Sequence, residues 1–344
     1  MKRAVFTASI LLLGLTLAAQ TPTALRVDVR LVNVVATVTD AGGRHVQGLT
    51  AEDFTVFEDG VPQKISHFTQ DRDVPVSVGI LLDTSGSMQE KMKAATGAVD
   101  RFINRVHPDD DIFLMTFARN TNLEQDFTSD RRKLSRALNE LRVGGGTVLY
   151  DALQEGLDKI RSGRHDKRAI LVISDGIDGG SKKTKLEQVL GSIRGAEVLV
   201  YGLGAAPTVY ADPDEHVPFT LPTQRSAARG PTAVSNPRQG PAQRGAPALS
   251  GLNAVNMSVM RQFAENSGGQ AFLLEDTFID SKGPEIDRVL TSIADELRGQ
   301  YTLSYYPSAP DNGRFHSVRV TTRAGHKVRT RTGYLGVSKM TNDN

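Results

Sequence analysis

The chain contains no cysteine and no tryptophan. Without cysteine it has no disulfides, no thiolate nucleophile and no Cys-based zinc site. It also lacks a His-Glu-x-x-His sequence, the zinc signature of many metalloproteases. After the N-terminal segment, no apolar run approaches the length of about 20 residues that a membrane-spanning helix needs. A chain of 344 residues without disulfides must therefore depend on a large buried core.

The N-terminal segment has the layout of a secretory leader. Lys2 and Arg3 are followed by an apolar run at 10–17 and by a small-residue zone at 16–20. We predict a signal peptide at 1–19 and an exported protein that is periplasmic, on the cell surface or secreted. Lys2 and Arg3 are two of the 41 basic residues, so the rest of the chain balances its 39 acidic residues. We therefore expect no nucleic-acid partner, and no transmembrane segment after cleavage.

Both ends of the remaining chain have the pattern of short β-strands. Apolar and charged residues alternate over 26–31, and turn sequences punctuate the N-terminal β segment at 22–72. The C-terminal β segment at 300–337 holds three further strand patterns. About 50 residues of β-structure bury too little surface to be stable alone. We predict that the two segments pair in one small antiparallel β-sandwich.

Strands and helices alternate in the chain between these β segments, over residues 74–299. The first strand pattern, at 76–82, is apolar or small on both faces, as in a parallel strand covered on both sides. The alternation predicts an α/β fold class with a doubly wound, mostly parallel sheet. This Rossmann-like domain would be inserted in the β-sandwich. A Pro- and Gly-rich stretch at 205–251 is predicted to be a disordered insertion within the domain.

Polar side chains cluster at three predicted loops of this domain. The first is Asp83-Thr84-Ser85-Gly86-Ser87, directly after the first strand. Thr147 follows a run of three glycines, and Asp175 follows the strand pattern at 169–173. Ligands of open α/β sheets bind beyond the carboxyl ends of the strands. Two carboxylates and three hydroxyls at that edge are suitable ligands for Mg²⁺, with Mn²⁺ and Ca²⁺ as alternatives.

These motifs resemble the metal-ion-dependent adhesion site of von Willebrand factor type A domains. The resemblance rests on Asp83-x-Ser85-x-Ser87, Thr147 and Asp175, and it covers residues 74–299 apart from the insertion. The flanking β segments also resemble those of secreted bacterial proteins that carry such a domain. The resemblance implies a metal-binding adhesion module that is not an enzyme.

The resemblance also implies roles for the five side chains. Ser85 and Ser87 would bind the cation directly, and Thr147 would join them when a partner is bound. Asp83 and Asp175 would act mainly through water, which leaves the metal electrophilic. An Asp or Glu of a protein partner would then take the open coordination position.

Other interpretations of the same residues stay open at this point. The segment 83–87 alone is compatible with a helix cap. A metal-dependent hydrolase would need a base for a serine nucleophile, and none of the seven histidines lies in the three site loops. A purely structural metal is the third alternative. The basic stretch 314–331 is interpreted as the solvent side of half-buried strands rather than as a polyanion-binding face.

Overall fold

The computed structural model describes residues 31–70, 74–205, 255–274, 284–307 and 313–336. The predicted signal peptide at 1–19 and the predicted insertion at 205–251, apart from Ala205, lie outside these ranges. The strands are β1 (Val32–Thr39), β2 (Phe54–Glu58), β3 (Val61–Gln63), β4 (Ile65–Gln70), β5 (Ser77–Asp83), β6 (Asp111–Phe117), β7 (Thr121–Thr128), β8 (Arg168–Ser174), β9 (Leu199–Ala205), β10 (Ala271–Leu274), β11 (Tyr301–Tyr305), β12 (Phe315–Thr322), β13 (Lys327–Arg329) and β14 (Gly333–Leu335). The α-helices are α1 (Met92–Arg105), α2 (Arg131–Asn139), α3 (Leu149–Ile160), α4 (Leu186–Gly195), α5 (Met257–Ser267) and α6 (Pro284–Arg298). None of the helices in the described ranges has both the length and the apolarity needed to cross a membrane.

A six-stranded sheet forms the centre of the α/β domain. Its strand order is β10-β9-β8-β5-β6-β7, and every neighbouring pair is parallel except β6 and β7. All residues of β5 are buried, because helices cover both faces of the sheet. The predicted fold class is confirmed: an α/β core with a mostly parallel sheet, accompanied by antiparallel β-sheets.

Two hydrophobic cores hold the helices against this sheet. On one face, α1, α2 and α6 pack on alternate residues of β5, among them Val78, Ile80 and Leu82. On the other face, α3, α4 and α5 pack around Leu81 and Phe113. The apolar residues of α1 recur at intervals of three and four, which places them on one side of the helix. The sequence pattern therefore determines which side of each helix faces the sheet.

The remaining strands form two four-stranded sheets that mix both ends of the chain. One has the order β13-β1-β11-β4, and the other has the order β14-β12-β2-β3. In the first, β1 lies between two C-terminal strands, and Val34 is paired with Leu303. Side chains of both sheets share one core, which includes Val56 and Tyr301. The strand patterns at the two ends of the sequence thus belong to one sandwich.

The structure contains a strand that the sequence pattern did not predict. Strand β7 lies at the edge of the six-stranded sheet, antiparallel to β6. Its sequence, TNLEQDFT, is mostly polar because most of its residues are exposed or half-buried. The first site loop also does not lead directly into α1. A 3₁₀ helix, Gly86–Lys91, comes first, and α1 begins only at Met92.

A buried acid connects the last helix of the α/β domain to the sandwich. Glu296 of α6 is 2% exposed, and its Oε1 accepts hydrogen bonds from Thr37 of β1 (3.0 Å) and Tyr201 of β9 (2.8 Å). Its Oε2 forms an ion pair with Arg329 of β13. We call these four residues the Glu296 network. They join two strands of the sandwich to a helix and a strand of the domain.

The basic stretch 314–331 was expected to lie on the solvent side of the strands. The structure shows that only part of it does. Arg319 is exposed and covers the ring of Phe57 at 4.0 Å. Arg329 is instead part of the Glu296 network, and Arg331 is 8% exposed and donates to the carbonyl oxygen of Asn33 at 2.6 Å. The expectation was therefore wrong for Arg329 and Arg331, because both lie where the sandwich meets the α/β domain.

Candidate functional site

The site lies where two adjacent parallel strands end. Asp83 is the last residue of β5, and Asp175 comes directly after the end of β8. The chain adds β6 on one side of β5 and then continues with β8 on the other side, so the strand order reverses here. Such a reversal separates the following loops and leaves a crevice between them, where α/β proteins bind ligands.

Backbone hydrogen bonds fasten the loops around this crevice to one another. The N–H of Thr84 donates to the carbonyl of Phe117 (2.9 Å), at the end of β6. The carbonyl of Thr84 accepts from Gly144 (2.9 Å), and the N–H of Gly86 donates to Gly145 (3.2 Å). Gly145 has φ of 104°, a conformation that suits glycine. The first site loop is thus held between the end of β6 and the glycine turn.

Hydrogen bonds connect four of the five predicted ligands, either to one another or to the adjacent residue Ser174. The hydroxyls of Ser85 and Ser87 are 3.1 Å apart, and Ser87 donates to Oδ2 of Asp175 at 2.6 Å. Oδ1 of Asp83 accepts from the backbone N–H of Ser85 at 2.8 Å. Its Oδ2 accepts from the hydroxyl of Ser174 at 2.6 Å. The structure therefore brings Asp83, Ser85, Ser87 and Asp175 together.

Thr147 is connected to the site through the backbone alone. It follows the glycine turn that holds Gly86, and it is half-buried. Its carbonyl accepts from Gly179, in the loop after Asp175, at 3.1 Å. Among the hydrogen bonds of the described residues, none joins its hydroxyl to another predicted ligand. Thr147 therefore lies between two site loops, and in the described structure its hydroxyl is not hydrogen-bonded to another predicted ligand.

Among the described residues, neither carboxylate of the site forms an ion pair. Asp83 is fully buried and Asp175 is 3% exposed. Burial raises the pKa of Asp83 to about 6, which the hydrogen bonds from Ser174 and Ser85 oppose only in part. A nearby cation is the buried amine of Lys91, which donates to the carbonyl of Ala205 at 2.9 Å. Burial lowers the pKa of this amine, and the charges of Asp175 and Asp83 oppose that change.

The residues present fit a small divalent cation. Neighbouring oxygens around an octahedral Mg²⁺ ion lie about 3 Å apart, since each bond is about 2.1 Å long. The 3.1 Å separation of the Ser85 and Ser87 hydroxyls matches that spacing. Hard oxygens and an unbalanced buried carboxylate also favour such an ion. In the described ranges no three His, Asp or Glu side chains gather as a metal cluster, so this donor set would be rich in hydroxyls.

Two residues of the site were not singled out by sequence reasoning. Ser174 is fully buried, donates to Asp83 and accepts from the N–H of Gly176 at 3.0 Å. Asn256 donates its N–H to the carbonyl of Asp175 at 2.7 Å. Ser174 directly precedes Asp175 in the sequence, and its position at a strand end was a usable signal. The contact with Asn256 spans a long stretch of chain, and no local pattern indicates it.

Several of the described histidine rings form hydrogen bonds elsewhere in the structure. The ring of His316 contacts Asp59 in the sandwich at 2.8 Å. The ring of His165 contacts the carbonyl of Asp109 at 3.1 Å, near the N-terminal ends of β6 and β8. In the described part of the chain, no histidine ring is hydrogen-bonded to Ser85 or Ser87. A serine–histidine pair is therefore not formed at the site by these residues.

The sequence of the segment that carries the site matches a known family. The family model of the von Willebrand factor type A domain matches residues 78–177, a range that includes all five predicted ligands. This segment is a von Willebrand factor type A domain. Domains of this family are protein-interaction modules and are generally not enzymes.

Several proteins are similar to this chain over part of its length. An uncharacterized protein of Synechocystis sp. is 26% identical over 110 residues, which are 31% of this chain and 26% of that protein. The match thus spans about a quarter of that relative's length. The structure of BatB, a conserved hypothetical protein from Bacteroides thetaiotaomicron, is 17% identical, with 64% of this chain and 97% of that chain covered and a TM-score of 0.44. A von Willebrand factor type A structure from Catenulispora acidiphila is 11% identical, with 89% and 72% covered and a TM-score of 0.46.

Proposed function

We propose that this protein is an exported, non-enzymatic binding module that holds one divalent cation, with Mg²⁺ as the first choice. The ligand set is Asp83, Ser85, Ser87, Thr147 and Asp175. The protein would engage an Asp or Glu of a protein partner through the bound metal. The observation that carries the proposal is the hydroxyl–carboxylate chain from Ser85 through Ser87 to Asp175, contributed by the loops after two adjacent strands.

The division of labour among the ligands follows from their hydrogen bonds. Both oxygens of Asp83 already accept hydrogen bonds, so this carboxylate suits an orienting role through water. The hydroxyls of Ser85 and Ser87 are neutral and would leave most of the metal charge uncompensated. An anionic group of a partner then gains more from binding the metal, because the ion keeps its electrophilic character. A cation here would supply Lewis acidity for binding a carboxylate.

The proposal extends to the organisation of the whole chain. We propose the division into a signal peptide (1–19), two β segments (22–72 and 300–337) and the domain at 74–299. The pairing of β1 with β11 and β13 supports the grouping of the two β segments. The leader-like composition supports export to the periplasm, the cell surface or the medium. N-terminal sequencing of the protein from its own cells would test the cleavage.

The cation is tested by comparing unfolding in Mg²⁺ and in EDTA. A ligand at 100 times its Kd stabilises a protein by about 2.7 kcal/mol. We expect such an increment for the wild type, and none for Ser85→Ala, Ser87→Ala or Thr147→Ala. Ser135→Ala is a matched control, since Ser135 also donates to a carboxylate, that of Asp100, at 2.6 Å. An unchanged wild-type stability in Mg²⁺ would contradict the proposal.

The partner is tested by affinity capture from the cell envelope, with Mg²⁺ and with EDTA. We expect a protein that is retained only in Mg²⁺ and is lost with Ser85→Ala but not with Ser135→Ala. If the metal is purely structural, Ser85→Ala should still capture the partner, although this variant is no longer stabilised by Mg²⁺. Turnover of an ester or peptide that EDTA abolishes would instead indicate a hydrolase.

A further inference from the structure

An arginine next to the candidate metal site rests on the glycine turn. Arg119 lies in the tight turn between β6 and β7, where the N–H of Ala118 donates to the carbonyl of Asn120 at 3.0 Å. A Cβ placed on Gly145 would lie 2.8 Å from Cγ of Arg119, so the aliphatic part of the arginine covers this glycine. Gly145 in turn binds Gly86, between Ser85 and Ser87. Arg119 is thus two contacts away from the predicted ligands.

The charge of Arg119 is not used within the described structure. The residue is exposed, and among the described residues its guanidinium takes part in no ion pair or hydrogen bond. The same holds for the exposed amine of Lys182 in the loop after Asp175. The nearby acids are already engaged, because Asp151 accepts from three backbone N–H groups and Glu155 pairs with Lys183 at 3.3 Å. Three basic side chains, Arg119, Lys182 and Lys183, therefore accompany two acidic ones, Asp151 and Glu155, at this rim.

Two grooves meet at Arg119. One, of about 340 Å³, lies between the β6–β7 turn and the glycine turn, and is lined by Asn122 and Gly144 among others. The other, of about 170 Å³, runs towards the loop that carries Lys182. Arg119 and Asn120 line both grooves. A peptide segment that reaches the metal site from this side would pass directly over the guanidinium.

We propose that Arg119 binds a second carboxylate of the protein partner, beside the one that reaches the metal. The inference rests on the proposed function, and it narrows the partner to a protein segment with two nearby acidic residues. Guanidinium offers a planar pair of N–H donors that matches a carboxylate, which a lysine amine does not. Packing on Gly145 limits where the side chain extends, so it lies ready for such a contact. Lys182 would add attraction over a longer range.

The test uses a displayed library of random twelve-residue peptides, selected on the full-length protein in Mg²⁺. We expect enriched peptides that carry two acids, are released by EDTA and fail to bind Ser85→Ala. Affinity for a selected peptide should fall about fivefold in Arg119→Ala and about tenfold in Arg119→Glu. Replacing the metal-binding acid of the peptide by its amide should abolish binding. Replacing the second acid by its amide should lower the affinity about as much as Arg119→Ala does.

A double-mutant cycle decides the pairing. In Arg119→Ala, amidation of the second peptide acid should cost nothing further, because its partner is already missing. Arg132→Glu is the matched control, since Arg132 is an exposed arginine of α2 with a side chain that is 91% exposed. Mg²⁺-dependent peptides with a single acid that bind Arg119→Glu unchanged would overturn the Arg119 inference alone. Failure to enrich any EDTA-sensitive peptide would count against the proposed function itself.

Discussion

Two buried acids of this molecule have opposite surroundings. Glu296 accepts hydrogen bonds from Thr37 and Tyr201 and has an ionic partner, Arg329. Asp83 is equally buried, yet its hydrogen-bond donors, the N–H of Ser85 and the hydroxyl of Ser174, are neutral. Its pKa is raised to about 6, which shows that the charged form is poorly stabilised.

The difference separates a region that stabilises the fold from a region that is suited to binding. The Glu296 network supplies its own cation, so its charge is balanced as soon as the sandwich and the domain are assembled. The Asp83 site has two carboxylates and hydroxyls, and its charge is best balanced by an ion taken up from solution. A site that is left incomplete in this way gains free energy when a cation binds.

Removing Arg329, the positively charged member of the Glu296 network, is expected to have the largest effect on the free energy of unfolding. Arg329→Met keeps apolar volume but leaves Glu296 buried without an ionic partner. Breaking a buried pair in this way costs about 3 kcal/mol or more. Urea unfolding followed by tyrosine fluorescence measures the loss. Arg319→Met is the control, since this exposed arginine only covers Phe57, and its loss should cost less than about 1 kcal/mol. Equal losses in the two variants would show that the ion pair contributes no more than a surface contact.

Removing the charge of Asp83 is expected to affect the response to Mg²⁺ more than the fold. Asp83→Asn keeps the size of the side chain and a carbonyl acceptor, and among the described residues the lost charge has no ion pair, only the longer-range attraction of Lys91. In EDTA we expect its stability to stay within about 1 kcal/mol of the wild type. In Mg²⁺ the increment of about 2.7 kcal/mol at 100 times the wild-type Kd should disappear.

When stability is measured in EDTA and in Mg²⁺, Glu296→Gln should behave in the opposite way to Asp83→Asn. It should lower stability in both buffers, because it leaves Arg329 without its carboxylate partner, and it should keep the Mg²⁺ increment. If Asp83→Asn instead loses as much stability as Glu296→Gln in EDTA, the contrast between the two regions fails.

The smallest expected effect concerns acid sensitivity within the sandwich. The ring of His316 and the N–H of Ser317 hold the pKa of the Asp59 carboxyl below its usual value of about 3.9. Since the folded-state pKa is the lower one, the ionised carboxylate stabilises the fold above about pH 4. This stabilisation is lost as the pH falls from there through the folded-state pKa.

The measurement is the stability gap between the wild type and Asp59→Asn from pH 6 to pH 3. Asparagine tolerates the positive φ of 49° at this position, so the backbone of the turn is preserved. We expect a small gap, because the Asp59 side chain is 46% exposed, and it should close as the pH falls. A gap that stays constant over this range would rule out the carboxylate as its cause.

The fold could be predicted from the sequence wherever burial leaves a periodic pattern. Strand β5 is buried on both faces and was identifiable as an uncharged apolar run. The same reasoning failed for β7, because an antiparallel edge strand exposes most of its residues and has no continuous apolar face. The arginines of the C-terminal strands show a further limit. Arg319 and Arg329 have the same local pattern, and only tertiary contacts distinguish the exposed one from the one paired with Glu296.

The site was predictable to the extent that its residues lie at strand ends. Asp83, Ser85, Ser87 and Asp175 do so, and the structure brings their groups together. Arg119 also follows a strand end, but its importance depends on the conformation of Gly145, far along the chain. Residues that act by contacting another loop carry no local signal of that contact.

Early and late strands of the sequence lie next to each other in the sandwich. This arrangement determines when the sandwich can form during synthesis. Strand β1 lies between β11 and β13, and residues 271 apart in the sequence, Asn33 and Ser304, share a hydrogen bond of 2.7 Å. A ribosome makes the N-terminal strands long before their partners, and closing so long a loop is entropically costly and slow. Until the last strands arrive, both edges of β1 lack partners and are open to mispairing. The sandwich closes only after β11 and β13 have been made, so the order of synthesis places their pairing with β1 late in assembly.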